Sequence, residues 1–286
     1  MKDPNELTLT ICCITYNHEK YITQTIESFL MQKTNFDFDI VIGEDCSSDD
    51  TRRIIQQYCD RFPDKIKMIT ADENVGAVNN QLRVFSQAKG KYIAMCDGDD
   101  FWTDPNKLQK QVDILDRDEK VTMCCAYTRV IDSDDKTVYE ASNGEVYEYT
   151  YQDLLSGRRE ETRISTAVLR NSAEFKRMIG SDWYPKTYGT DVFIKLYLTA
   201  HTGGKIYVIP EVMACYRLHA GGVYSMVNPR IRKRRMISDF NILINNFPYT
   251  SFQKRQLLRR YLREFFLFDL RDSNLSKAFS TLSTLI

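Results

Sequence analysis

Tyr92-Ile93-Ala94-Met95-Cys96 runs without a break into Asp97-Gly98-Asp99-Asp100. A short, mostly apolar run bounded by turn formers reads as a strand buried on both faces, as in a parallel sheet. Ligands of open α/β sheets bind just beyond the carboxyl ends of such strands. Three carboxylates within four positions therefore stand where a ligand would stand. Like charges packed so closely repel, and a divalent cation relieves that cost. Hard carboxylate oxygens suit Mg2+, Mn2+ or Ca2+ rather than zinc. Asp and Gly are also ordinary turn residues, so the rest of the chain has to decide.

The pattern before this junction is repetitive. Leu7 to Thr15 and Phe38 to Ile42 read as apolar strands, and Ile66 to Ile69 as a third. Between them, Glu19 to Gln32 places Ile22, Ile26, Phe29 and Leu30 on one helical face. Ser47-Ser48-Asp49-Asp50-Thr51 supplies cap chemistry for a helix carrying Ile54, Ile55, Tyr58 and Phe62. Val75 to Ala88 reads as the next helix. The order β-α-β-α-β-α-β with apolar strands predicts a mostly parallel sheet in three α/β/α layers. Pro105 to Arg117 continues with a helix, and Val121 to Val130 with Lys136 to Tyr139 as a strand pair. The second half is less regular: a short helix at Tyr151 to Leu155, a strand near Ser165 to Leu169, a helix at Thr190 to Thr199 and a strand at Ile206 to Ile209. From Asn228 the pattern is helical, through Ile231 to Phe247, Ser251 to Asp269 and Ser273 to Leu285. These readings divide the chain into a domain over 1–226 and a helical extension over 227–286.

The 286 residues suffice for a full core, and 43% hydrophobic with 27% charged residues is the composition of a globular protein. No apolar stretch reaches transmembrane length, and Met1 to Glu6 lacks the apolar centre of a signal peptide. The cysteines at 12, 13, 46, 59, 96, 124, 125 and 215 show no CxxC spacing. They read as reduced, mostly buried thiols of a cytoplasmic protein. Zero net charge hides an asymmetry, because from Arg230 onward 12 Lys/Arg face 4 Asp/Glu. A basic tail on an acidic body suggests an anionic surface partner.

Three strand ends form one neighbourhood in this reading: Thr15-Tyr16-Asn17, Glu44-Asp45 and Asp97-Gly98-Asp99-Asp100. Added to them in order are Asn74-Val75-Gly76, Ala88-Lys89-Gly90-Lys91-Tyr92-Ile93, Trp102-Thr103-Asp104-Pro105, Lys107-Leu108, Thr190-Asp191 and Tyr216-Arg217-Leu218-His219. The ordered set resembles the family 2 glycosyltransferases, which have the GT-A nucleotide-diphospho-sugar transferase fold. It covers roughly residues 7 to 225 and looks most like bacterial enzymes of capsule, lipopolysaccharide or exopolysaccharide assembly.

The resemblance implies roles residue by residue. Thr15 and Tyr16 would line the base pocket, with Asn17 and Glu44 beside them in the nucleotide site. Asp45 would hydrogen-bond the base, typically uracil. Asp97, followed by Gly98, would contact the ribose. Asp99 would bind Mn2+ or Mg2+ bridging the diphosphate, with His219 near the ion. Arg217, Asp100 and Trp102 would support them, Trp102 chiefly as core. Asp191 would be the base that takes the proton from an acceptor hydroxyl. The reaction would be a single inverting displacement, moving a sugar from a UDP-sugar to a surface glycan or polyprenyl-linked saccharide. Two departures stand out. Gln81 and Leu82 occupy positions where family members often carry Arg-Asn, and Glu44 replaces a frequent Asp.

Blander readings attach to other residues. Asp49 and Asp50 read as helix caps, and His18 and His201 as structural histidines. The tail arginines read as solvated or paired with the acidic body. Alternatively, with Tyr261, Phe265, Phe266 and Phe268 among them, they form a basic amphipathic surface at the inner face of the cytoplasmic membrane. The apolar tail also suits a homo-oligomer. Nucleotidyl transfer is a rival, but it expects a Gly-rich phosphate loop where Tyr16-Asn17-His18-Glu19 stands. A non-catalytic sugar-nucleotide or glycan-binding module is a second rival. No recognised nucleic-acid module accompanies the basic tail, so no nucleic-acid partner is expected.

Overall fold

A computed structural model of the chain describes residues 7–140, 144–157, 162–222, 228–271 and 275–276. It opens with the alternation that the apolar runs predict: β1 (Leu9–Thr15), α1 (Ile22–Leu30), β2 (Phe38–Glu44), α2 (Thr51–Arg61), β3 (Ile66–Thr70), α3 (Ala77–Gln87) and β4 (Tyr92–Met95). β1 lies between β2 and β4, all three parallel, and β3 pairs parallel with β2.

Beyond β4 the sheet becomes mixed. β5 (Phe101–Trp102), α4 (Lys107–Arg117), β6 (Val121–Ile131), β7 (Thr137–Glu140), β8 (Tyr147–Tyr149) and α5 (Tyr151–Ser156) lead to β9 (Val168–Arg170). The strand expected at Ser165 to Leu169 begins instead as a 3-10 turn, Ile164–Thr166, and only then becomes β9. β9 runs antiparallel to both β4 and β6. α6 (Ala173–Ile179), α7 (Thr190–Thr202) and β10 (Lys205–Arg217) follow. β10 pairs parallel with β6 and, near its end, antiparallel with β5. The path across the sheet is β3-β2-β1-β4-β9-β6-β10-β5, with β7 on β6 and β8 on β10.

Alternating side chains divide the core between the two faces of the sheet. Leu9, Ile11, Cys13, Ile40, Ile42 and Ala94 pack with Ile22, Ile26 and Phe29 of α1 and with Leu108, Val112 and Leu115 of α4. Cys12, Val41, Ile93 and Met95 face the other way, toward Val84 and Phe85 of α3, Phe175 of α6 and Phe193 of α7. Helices on both faces of one sheet give the expected three layers.

The tail joins the second of these clusters. α8 (Pro229–Asn246) and α9 (Ser251–Arg271) contribute Leu243 and Leu257, and Phe247 follows α8, all buried among the body's residues. Phe247 packs against Trp183, Phe193 and Tyr197. Part of the tail's charge is spent on packing: Lys233 pairs with Asp269, and Arg260 donates to the Leu154 carbonyl at 2.5 Å. The boundary expected at 226 lies outside the described residues, as does most of the helix expected at Ser273 to Leu285. Among the described residues no helix is long and apolar enough to cross a membrane.

Candidate active site

Because β1, β2 and β4 are parallel, their carboxyl ends open on one edge of the sheet. Backbone bonds tie those ends together. Gly98 donates its N–H to the Ile14 carbonyl at 2.9 Å, and Asp45 donates to the Thr15 carbonyl at 3.1 Å. Gly98 has to be glycine, since a Cβ there would lie 2.6 Å from Thr15 Oγ1 and 2.7 Å from its Cβ. Without that close approach the acidic turn would stand away from β1.

The turn then sends its three carboxylates in different directions. Asp99 meets two imidazoles: His219 Nε2 lies 2.9 Å and His18 Nε2 3.8 Å from Asp99 Oδ2. Thr15 Oγ1, 3.1 Å from His18 Nδ1, orients the His18 ring. Burial pushes Asp99 up, but the His219 hydrogen bond and the charges of both histidines outweigh it and hold Asp99 below its ordinary value. Burial is also the chief influence on His18, holding it below its usual value, with Asp99 opposing. Asp97 takes no such partner. Burial, then the charges of Asp99 and Asp191, push it up to about 7.

Asp100 turns inward and is structural. It accepts the Arg217 backbone N–H at 3.0 Å, and its own carbonyl accepts Thr25 Oγ1–H at 2.7 Å. Burial, with the charges of Asp99 and Asp97, holds its carboxyl well above the ordinary value. The Arg217 side chain is 3% exposed and its donors are spent. They reach the Asp99 carbonyl at 3.1 Å, Gln24 Oε1 at 2.7 Å and Asp135. Arg217 thus fixes the backbone of the acidic turn. Trp102 is buried, donates its indole N–H to the Ser165 carbonyl at 2.7 Å and lies under Lys107 Nζ.

Beyond the end of β1, Tyr16 is 43% exposed. Asn17, at φ 56°, accepts the Ser48 N–H at 2.8 Å and joins the ends of β1 and β2. Asp45 is 2% exposed and accepts the N–H groups of Val75 (2.9 Å) and Gly76 (3.0 Å), so it shapes the Asn74-Val75-Gly76 loop. Glu44 is buried against Arg52 at 2.5 Å and the Ser47 N–H at 2.6 Å. Asp49 accepts the Thr51 and Glu19 N–H groups, while Asp50, at the N-cap, pairs outward with Arg53. Gln81, at the position where the family often has Arg, accepts the Tyr184 hydroxyl at 3.0 Å.

Asp191 sits in the first turn of α7, where the helix dipole favours a carboxylate. It is partly exposed and close enough to Asp97 for its charge to bear on that group. Asp97 and Asp191 are thus two carboxylates near enough for one charge to act on the other.

His18 is the residue that sequence reading missed. Its neighbour Asp99 lies 81 positions away, and nothing local to Tyr16-Asn17-His18-Glu19 announces the meeting. His201, by contrast, stacks on Tyr197 with ring centroids 3.8 Å apart and does not belong to the cluster of His18, Asp99 and His219. A divalent ion fits the His18–Asp99–His219 set, because one ligand atom from each lies within 4.8 Å of the others. The set offers two nitrogens and one oxygen, and it adds His18 to the Asp99 and His219 expected from the sequence. The carboxylate suits Mn2+ or Mg2+, and the imidazoles suit later transition ions.

Known proteins similar to the chain point to its family and fold. An uncharacterized protein of Mycobacterium tuberculosis is 34% identical over 224 residues, 76% of this chain and 60% of its own length. The chain thus spans less than two thirds of that relative. Staphylococcus aureus TarS, a poly(ribitol-phosphate) beta-N-acetylglucosaminyltransferase, was solved with UDP-GlcNAc. It superposes with a TM-score of 0.67 over 92% of this chain and 73% of its own, at 20% identity. A mannosyltransferase of Pyrobaculum calidifontis, solved with GDP-Man and Mn2+, gives 0.66 over 99% and 76%, at 16% identity. The fold is the GT-A fold. The model of "Glycosyl transferase family 2" matches residues 10–174, from within β1 through the acidic turn to the start of α6. Sheet, acidic turn and sequence match point the same way: the chain belongs to glycosyl transferase family 2.

Proposed function

We propose that the chain is an inverting, metal-dependent glycosyltransferase. It takes a sugar from a nucleoside-diphosphate donor, a UDP-sugar, and passes it to a hydroxyl of a surface-glycan or lipid-linked acceptor. The observation that carries this reading is the His18–Asp99–His219 cluster at the ends of β1, β4 and β10, next to Asp97, on which the Asp191 charge acts. His18, Asp99 and His219 would hold the ion, which when bound supplies positive charge for the departing diphosphate. Asp97 would bind the sugar or ribose hydroxyls. Asp191 would take the acceptor proton as the oxygen attacks the anomeric carbon. Tyr16, exposed next to Thr15, would stack on the base. The TarS and mannosyltransferase complexes support a sugar-nucleotide donor.

The test is product analysis. The protein is incubated with Mn2+ and UDP-GlcNAc, UDP-glucose or GDP-mannose, with water as acceptor, and followed by proton NMR. Nucleoside diphosphate and a sugar of inverted anomeric configuration are expected. Release of nucleoside monophosphate or pyrophosphate would contradict the reading, as would nucleotide binding without turnover of any donor.

A further inference from the structure

We propose that Asp239, on the C-terminal helix α8, is a positioning residue for Asp191, making the tail a working part of the active site. The inference rests on Asp191 being the base. α7 has Gly189 as its N-cap, with no side-chain cap hydrogen bond. A glycine there supplies no oxygen to fix the helix entry. Asp239 supplies it from outside. Its two carboxylate oxygens accept the Tyr188 N–H and the Gly189 N–H, each at 2.9 Å. These are the two peptides leading into the turn that carries Asp191. Charge-assisted bonds of this kind are about twice as strong as neutral ones and fix geometry.

The same segment is anchored at its other end. Tyr184 donates its hydroxyl to Gln81, and Thr187 closes on the Tyr184 carbonyl at 2.8 Å. The stretch from 184 to 189 is therefore held at both ends by side chains distant in sequence. α8 also grips α7 itself, through the packing of Phe247 on Phe193 and Tyr197. A Cβ placed on Gly189 would lie 3.3 Å from Asp239 Oδ2 and 3.9 Å from Asp191 Oδ1, so the two carboxylates flank one glycine. They repel each other. Arg235, one turn before Asp239, offsets part of that charge and lies over the Tyr188 ring at 5.1 Å. An acidic side chain this close to the base is costly unless its hydrogen bonds matter more than its charge.

The experiment compares Asp239→Asn and Asp239→Ser with Asp191→Asn and with the Asp191→Asn/Asp239→Asn double variant. Three readouts are taken: hydrogen–deuterium exchange of the 184–195 segment, UDP binding with Mn2+ by calorimetry, and donor turnover counted per UDP-binding site. Counting per site removes any misfolded fraction. The expected result has three parts. Exchange accelerates at 188–191, and UDP affinity does not change. Turnover falls about 100-fold, with no further loss when Asp239→Asn is added to Asp191→Asn. Unchanged turnover in both Asp239 variants, or losses that multiply in the double variant, would overturn the proposal and reduce Asp239 to a structural cap. Turnover surviving Asp191→Asn would instead remove the base assignment, and the positioning role with it.

Discussion

Around the acidic turn, backbone bonds between neighbouring strand ends share the holding with the Arg217 and Thr25 side chains; around Asp191, distant side chains do the holding. Gly98 reaches Ile14, and Asp45 reaches Thr15, by backbone bonds between adjacent parallel strands. Those bonds follow from strand register, and register follows from apolar patterning. The loop before Asp191 has no such lattice. Gln81 holds it from 103 positions away and Asp239 from about 50. One part of the site is thus anchored on the sheet register, with Arg217 and Thr25 added, while the other is assembled from tertiary contacts. A change in the tail should therefore disturb the base and leave nucleotide binding alone.

The sharpest way to break this contrast is Asp191→Asn, which should lower turnover by about 10²–10⁴-fold while UDP still binds with Mn2+. Equal loss of both would show that the two parts are not separable. Next in size is Phe247→Ala, since the ring is enclosed by Trp183, Phe193 and Tyr197. Chemical denaturation should show a loss of about 3–5 kcal/mol. A loss near zero would make the tail an appendage. Gly98→Ala tests the other region. Forcing a Cβ against Thr15 should cost about 1–3 kcal/mol and weaken UDP binding, because the turn must move off β1.

A pH effect is the smallest and most local of these. Burial first, then the charge of Asp191, raises Asp239 to about 6 against the pull of the Tyr188 and Gly189 N–H groups and Arg235. The folded protein then keeps a proton that the unfolded chain has released. Stability falls as pH rises through the interval from about 4 to about 6. Urea melts of wild type against Asp239→Asn should show the variant gaining on wild type over that interval, by on the order of 1–3 kcal/mol. A difference independent of pH would contradict the assignment.

The same contrast explains what the sequence could say. Tyr92 to Cys96 and Asp97 to Asp100 are legible because strand, turn and charges are contiguous. The layers followed from the spacing of Ile22, Ile26 and Phe29 and its repeats along the first hundred residues. β9 is three residues long and exists because Val168 and Leu169 pair with Ala94 and Ile93, more than seventy positions earlier. β5 is two residues paired with Ala214 and Cys215. Such strands carry no periodicity of their own. His18 was passed over for the same reason, since its chemistry is decided by Asp99 and His219. Asp45 and Glu44 were legible as a paired acidic strand end, yet the Asp45 bonds to the 75–76 backbone are long-range facts.

In the proposed reaction the His18–Asp99–His219 cluster would hold a divalent ion that recruits the donor's diphosphate. Calorimetric titration of UDP and GDP, with Mn2+ and with EDTA, on wild type and Asp99→Ala tests it most directly. Binding of at least one nucleotide that requires Mn2+ and vanishes in Asp99→Ala is the expected result. Nucleotide binding that is equally tight in EDTA, or that survives Asp99→Ala, would contradict it.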